Sequence, residues 1–264
     1  VQITVLGKSP AWQDANGACS GYLVEEAGTT LLLDCGNGVF GKLREQIDFV
    51  AVDAVVVSHL HADHFLDLIP FAYALLYAPR QQPVPVHHWS GTDAPACPRL
   101  YAPPQAGDVF RQVTGAFNTP DLIEDAFALE EYSSDSVLEI GPLRVRFHPV
   151  PHYIPTWAVE VVSTVTGGRL TFSADCSPND ALVAFARDTD LLLIEAALPR
   201  PERDGMRGHL TPAEAGAHGR AAGARQLVVT HYAEELGPEW VREEAERTYG
   251  DTVSVAHEGA TFIL

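Results

Sequence analysis

The run Ser58-His59-Leu60-His61-Ala62-Asp63-His64 places three histidines and one aspartate within six residues. Imidazole and carboxylate are the side chains that bind zinc and similar borderline divalent ions. On extended chain, residues two apart project to the same side, so His59 and His61 are aimed at one point. Asp63 and His64 fall where the chain turns into a helix and face a neighbouring point. Two ions sharing such a cluster sit about 3.5–4 Å apart. The chemistry implied is hydrolysis, because paired ions activate a water and polarise a carbonyl or phosphoryl group. A solvated polar loop does not account for four such groups directly behind the Val-rich stretch at 54–57.

That stretch is wholly apolar, as a strand buried on both faces must be. Shorter apolar or alternating runs at 3–6, 22–26 and 30–33, bounded by Gly and turn residues, predict further strands. Residues 63–77 predict a helix with Leu66, Ile69, Tyr73 and Leu76 on one face, kinked or restarted at Pro70. Residues 81–132 are the least regular part and carry seven prolines. A short strand at 84–89 followed by interrupted helices is expected there, and the segment suits a wall or lid beside a site.

Strands are expected again at 143–150 and 158–165, bracketing a loop that holds His152, with Thr166-Gly167-Gly168 as a hairpin turn before 170–174. From there strands (191–194, 227–229, 253–255, 261–263) alternate with helices (180–187, 211–222, 238–249), Thr211-Pro212 supplying a cap and first turn. The pattern predicts an α/β chain with helix/sheet/sheet/helix layering. The runs Val55-Val56-Val57-Ser58-His59 and Leu227-Val228-Val229-Thr230-His231 echo each other and suggest a duplicated half.

With 264 residues and 46% apolar types, the chain can bury a sheet on both faces. Its formal charge of −18, and the presence of only Lys8 and Lys42 among lysines, argue against a surface that grips nucleic acid broadly. Cys19, Cys35, Cys97 and Cys176 form no CxxC pair, so they are expected as buried thiols rather than a zinc knuckle or disulfide framework. No apolar run reaches the roughly 18 residues of a membrane helix, and no basic-then-apolar leader opens the sequence. A cytoplasmic location and no membrane partner are the corresponding expectations.

The heptad at 58–64 resembles the HxHxDH signature of the metallo-beta-lactamase-fold metallohydrolases, and the other positions of that family follow in order along nearly the whole chain. The resemblance implies one domain over residues 1–264, a four-layer αββα sandwich, with the Pro-rich segment at about 81–132 as its irregular part. It implies one metal held by His59, His61 and His152, a second by Asp63, His64 and His231, and Asp175 shared. Asp34, at the end of an early strand, matches the aspartate that supports the ligand loop through hydrogen bonds. Each of these positions lies at or just past the end of a predicted strand, where a rigid scaffold can aim a side chain. His148 competes with His152 but falls inside a predicted strand, where packing is the simpler role. His87, His88, His218 and His257 lack the context and are read as surface or packing residues. The ions implied are two divalent metals, zinc first, with Mn2+ or Fe2+ as alternatives.

Asp175 in place of Cys and His64 in place of Arg exclude the main zinc beta-lactamase subclass, and His61 in place of Glu excludes the flavodiiron oxygen reductases. Glu195 in Leu193-Ile194-Glu195-Ala196-Ala197 and His209 in Gly208-His209-Leu210-Thr211 resemble the strand-end Glu and loop His of the tRNase Z-like phosphodiesterases. There the His, held by the Glu, protonates the leaving oxygen. Only 22 residues, filled by a hairpin, separate His152 from Asp175, so the long tRNA-binding arm has no room there. The pattern is closer to the armless relatives, which include bacterial cyclic nucleotide phosphodiesterases. The expected function is cleavage of phosphodiester bonds in a small nucleotide-type substrate by a metal-bridging hydroxide that Asp63 orients, with His209 and Glu195 assisting departure. The alternatives are a ribonuclease Z-like RNA 3′-end endonuclease and an acyl hydrolase of thioesters or lactones; a metal-bound protein without catalysis is the remaining class. Tyr101 and Phe117 are candidates to stack on a base, core packing being the simpler role. The expected partners are a small-molecule substrate rather than extended nucleic acid and, from the resemblance, a second copy of the chain.

Overall fold

A computed structural model describes residues 1–202 and 204–264. Its strands are β1 (Gln2–Gly7), β2 (Gly21–Glu26), β3 (Thr29–Leu33), β4 (Ala54–Val56), β5 (Arg99–Ala102), β6 (Ala128–Glu131), β7 (Val137–Ile140), β8 (Leu143–Val150), β9 (Thr156–Ser163), β10 (Arg169–Phe172), β11 (Leu191–Glu195), β12 (Gln226–Thr230), β13 (Ser254–Val255) and β14 (Thr261–Ile263). Its helices are α1 (Val39–Gln46), α2 (Ala62–Phe65), α3 (Leu68–Tyr77), α4 (Ala106–Gly115), α5 (Leu122–Ala126), α6 (Asp180–Phe185), α7 (Pro212–Ala222) and α8 (Pro238–Tyr249). The strands form two seven-stranded mixed sheets, ordered β14-β1-β2-β3-β4-β5-β6 and β13-β12-β11-β10-β9-β8-β7.

The two-residue period of the strands builds three apolar layers. In β3, Leu31 and Leu33 face the other sheet while Leu32 faces helices; in β11, Leu191 and Leu193 face inward and Leu192 and Ile194 outward. One core therefore lies between the sheets, with Tyr22, Val56, Phe147 and Phe172 at its heart. A second lies between the first sheet and α1, α3, α4 and α5, and a third between the second sheet and α6, α7 and α8. This is the αββα sandwich, and it explains why strands buried on both faces read as unbroken apolar runs.

The two sheets share a topology. Antiparallel β1-β2-β3 leads into parallel β4-β5-β6, and antiparallel β8-β9-β10 into parallel β11-β12-β13. The topology is repeated, but the sequence echo marks the wrong pair. The counterpart of β4 is β11, which ends at Glu195; β12, which precedes His231, corresponds to β5.

Four further expectations need correction. The helix expected over 63–77 does restart, but at Leu68 rather than at Pro70, which is the third residue of α3, where its missing N–H costs no intrahelical bond. No strand forms at 84–89; a single bridge pairs Val86 with Trp89. The Pro-rich segment is irregular only up to Pro98, since from Arg99 it supplies β5, β6, α4 and α5 to the first sheet and its outer layer. Cys19, Cys35 and Cys176 are buried free thiols, whereas Cys97 is exposed. Among the described residues, no helix is long and apolar enough to cross a membrane.

Candidate metal centre and its pocket

Six strand ends converge on one point. Asp34 follows β3, the His59–His64 run follows β4, His152 follows β8, Asp175 follows β10, Glu195 ends β11 and His231 follows β12. The chain turns sharply there. Asp34, Ala174 and His231 have φ of 58°, 50° and 51°, the left-handed region that non-glycine residues avoid. Each costs on the order of 1–3 kcal/mol unless its surroundings hold it. Asp34 is held by its N–H donating to Val56 O at 2.8 Å and by three bonds to its carboxylate.

Those bonds organise the histidine run. Asp34 Oδ1 accepts Ser58 N–H at 2.7 Å, and Oδ2 accepts the Ser58 hydroxyl at 2.8 Å and His64 Nδ1–H at 2.7 Å. Ser58 Oγ in turn accepts His59 Nδ1–H at 3.1 Å. His152 Nδ1–H donates to Gly208 O at 2.7 Å and His231 Nδ1–H to Ser20 Oγ at 3.0 Å. With one ring nitrogen spent on each outer bond, Nε2 of His59, His64, His152 and His231 carries its lone pair inward.

The inward atoms fall into two sets. His61 Nδ1 lies 3.2 Å from His59 Nε2 and 3.0 Å from His152 Nε2. Three neutral imidazole nitrogens facing one another at that distance leave lone pair against lone pair, which a cation between them resolves. Asp175 Oδ2 lies 3.1 Å from His231 Nε2, 3.3 Å from His64 Nε2 and 3.7 Å from His59 Nε2, so it stands between the sets. Asp63 Oδ2 lies 3.5 Å from His64 Nε2 and 3.9 Å from His231 Nε2. The donors thus group as His59, His61, His152 and Asp175, and as Asp63, His64, His231 and Asp175. His64 Nε2 and Asp175 Oδ1 are buried and without a hydrogen-bond partner. Buried polar atoms are normally satisfied, and these two fit the donor set of a divalent ion.

The charge states of the metal-free groups differ between the two sets. Burial pushes the His59, His61 and His152 imidazoles down, His152 to about 4, which leaves the first set neutral and ready to ligate. Burial raises the Asp63 carboxyl, but the hydrogen bond and charge of His64 and the charge of His231 outweigh it and hold Asp63 at about 2. Burial likewise works against ionisation of Asp175, and the His231 and His64 charges carry it well below the usual range. Burial opposes the charge on His64, yet Asp175 and Asp34 hold it well above an ordinary imidazole.

Glu195 is fully buried, and His209 Nδ1–H donates to its Oε1 at 2.9 Å. Glu195 is fixed by Cys176 N–H and Ala197 N–H, each donating at 3.0 Å. His209 Nδ1 is 4.0 Å from Asp175 Oδ2. Burial lowers the His209 imidazole, but the Glu195 charge and hydrogen bond, with Asp175 and Glu202 beyond, lift it to about 9.

A cavity of about 360 Å³ opens over these groups, reaching His61, Asp63, Asp175, His209 and His231. Its walls include residues the sequence reading missed: Trp12 from the β1–β2 connection, Tyr153 after β8, and Ala197 and Leu198 after β11. The one available signal was a tryptophan in a short polar connection, Ser9-Pro10-Ala11-Trp12-Gln13-Asp14. The Pro-rich segment does not line the cavity; Tyr101 is in the core and Phe117 is exposed elsewhere. Three larger surface cavities, one beside Arg44 and Trp89, one beside Gln81 and Asp125 and one beside Arg144 and Glu160, hold none of these groups. The remaining histidines stay outside the cluster. His148 stacks on Phe185, His87 and His88 contact each other at the surface, His218 accepts Asn179 N–H, and His257 is exposed.

The family model of the beta-lactamase superfamily domain matches residues 29–232, from β3 to just past His231. The chain is 29% identical over 259 residues to the probable metallo-hydrolase YhfI of Bacillus subtilis, covering 98% of both chains. The crystal structure of that metallo-beta-lactamase fold protein superposes with a TM-score of 0.82, 26% identity and 99% coverage of both chains. A ribonuclease Z of Myxococcus xanthus is 29% identical over 308 residues, covering 100% of this chain and 98% of the other. A diphosphatase from the PhnP family shares the fold, with a TM-score of 0.72 at 20% identity over 100% of this chain and 97% of that one. With the fold, the strand-end donor sets and a family model spanning more than three quarters of its length all in agreement, the chain belongs to the beta-lactamase superfamily.

Proposed function

We propose that this protein is a dinuclear metal-dependent hydrolase that cleaves phosphodiester bonds in a small nucleotide-type substrate. The observation that carries the reading is the Glu195–His209 pair on the wall of the pocket, beside Asp175. A thiolate leaves a thioester without a proton donor, whereas expulsion of an alkoxide from phosphorus gains from a positioned one. The resemblance to a ribonuclease Z points to the same bond type.

In this reading His59, His61 and His152 would hold one ion, Asp63, His64 and His231 the other, and Asp175, common to both donor sets, would serve both. Bound there, two divalent ions such as zinc bring the pKa of a water from about 15.7 toward 7 and neutralise charge on phosphoryl oxygens. Asp63 accepts a hydrogen bond from the attacking water and orients it. Glu195 fixes the His209 ring with Nδ1–H outward to the carboxylate, leaving Nε2–H to protonate the departing oxygen. The Asp34–Ser58 and Asp34–His64 bonds keep the histidine run in register with Asp175 throughout.

The test is metal content measured together with turnover of bis(p-nitrophenyl) phosphate and of 2′,3′- and 3′,5′-cyclic nucleotides. About two zinc ions per chain with phosphodiester cleavage is the expected result. Two ions with no phosphodiester cleavage, and turnover of a thioester or lactone, overturns the reading in favour of an acyl hydrolase.

A further inference from the structure

The cavity over Asp175 has a floor of imidazoles and carboxylates and walls of another kind. Pro10, Ala11 and Trp12 form one side, and Tyr153, Ala197 and Leu198 much of the rest. No lysine or arginine lines it among the described residues. A polyanionic chain needs cationic side chains along its path, and none is offered beyond the metal centre itself. At about 360 Å³ the space is at the small end of ligand pockets. The part of the substrate that does not react must therefore lie on apolar and aromatic surface.

Trp12 is the most exposed tryptophan, at 58%. Its loop is nevertheless tied down on both flanks. Lys8, itself buried, pairs with Asp14 and donates to Tyr232 O at 3.0 Å. The Asp14 carboxylate also accepts Glu234 N–H at 3.2 Å, and its backbone N–H donates to Ser9 Oγ at 3.0 Å. Cys19 Sγ donates to Pro10 O at 3.1 Å. These bonds fasten the loop to the segment that follows His231. A large aromatic face held in place beside a polar floor, and not covered by the chain itself, is a ready contact for a ligand.

Resting on the phosphodiesterase reading of the same site, we propose that Trp12 determines specificity by stacking on the heterocyclic base of a mononucleotide-sized substrate. The phosphate then sits on the floor between Asp63 and His209, and the base lies along the Pro10–Trp12 wall. Lys8 and Asp14 are positioning residues, acting through the loop.

The experiment is calorimetric binding of adenosine 5′-monophosphate and of inorganic phosphate to the zinc-loaded protein, in wild type, Trp12→Ala and Trp12→Phe, with bis(p-nitrophenyl) phosphate turnover measured alongside. Wild type is expected to prefer the nucleotide to phosphate. Trp12→Ala is expected to weaken nucleotide binding about 5- to 150-fold, the span of one base–aromatic stack, with a much smaller change for phosphate. Trp12→Phe is expected to retain most of the preference. Equal affinity for the two ligands in wild type, or an equal loss of both in Trp12→Ala, overturns the proposal even if phosphodiester turnover is present. The expected binding pattern without turnover supports the base contact and overturns the hydrolysis reading instead.

Discussion

Asp34 and His64 are joined by a 2.7 Å hydrogen bond across 30 residues of sequence, and the same carboxylate holds Ser58. One buried side chain thereby sets both ends of the histidine run, fixing the His64 tautomer directly and that of His59 through Ser58 Oγ. Outer partners of this kind typically change metal affinity by about 10–100-fold when lost. Asp34→Asn keeps the shape but removes the charge, and its amide competes as a donor against His64 Nδ1–H. Metal affinity measured by competition with a chelating dye is expected to fall within that range, with far-UV circular dichroism preserved. Undiminished affinity contradicts the orienting role.

His209 and Asp175 are 4.0 Å apart, yet they are expected to fail differently when replaced. His209→Gln removes a proton donor but no ligand of either donor set, so turnover of a poor leaving group is expected to drop about 10²–10⁴-fold with full metal content. Asp175→Ala removes the only carboxylate common to both sets, and metal content itself is expected to fall. Retained metal in Asp175→Ala would refute the bridging assignment.

The raised pKa of His209 has a measurable consequence in the metal-free protein. Its imidazole is expected to titrate near 9 by NMR, and Glu195→Gln is expected to bring it down. A histidine raised on folding stabilises the native state fully below its ordinary pKa of about 6.5 and loses that contribution as pH rises through the folded value. The stability gap between wild type and His209→Gln, read from urea midpoints, should therefore shrink between about pH 6.5 and pH 9. A gap that widens over this interval contradicts the assignment. Bound divalent cations repel the imidazolium and are expected to lower its pKa.

Gly36 packs its Cα against the backbone of the ligand run. A Cβ there would lie 1.8 Å from Asp63 O and 2.9 Å from the Cys19 side chain. Cys35 N–H donates to His64 O at 2.8 Å just beside it, so neither the loop after β3 nor α2 can retreat without moving ligands. Gly36→Ala is expected to cost about 1–3 kcal/mol by overpacking and to weaken metal binding. Chemical denaturation and metal titration of the same sample test the two effects; wild-type values in both contradict the close approach.

The sequence by itself determined the layers and the local ligand run at 59–64, and its resemblance to a known family implied the rest of the donor sets. Val55 and Val57 alternate with Ala54 and Val56 across a strand buried on both faces, and His59, His61, Asp63 and His64 are local enough that their spacing alone aims them. His152, Asp175 and His231 were legible through the family resemblance, each standing at or just past the end of a predicted strand. What only the tertiary structure decided was every relation between distant segments. The bond from His152 to Gly208, that from His231 to Ser20, and the placement of Trp12 on the pocket wall each join residues that no periodicity links. The Pro-rich segment shows the same limit in reverse. Its prolines obscured β5 and β6, which are held by pairing, β5 on β4 and β6 on β5, rather than by their own four-residue patterns. Local pattern fixes which face of an element is apolar, but the partner that covers that face is chosen by the closing of the whole sandwich.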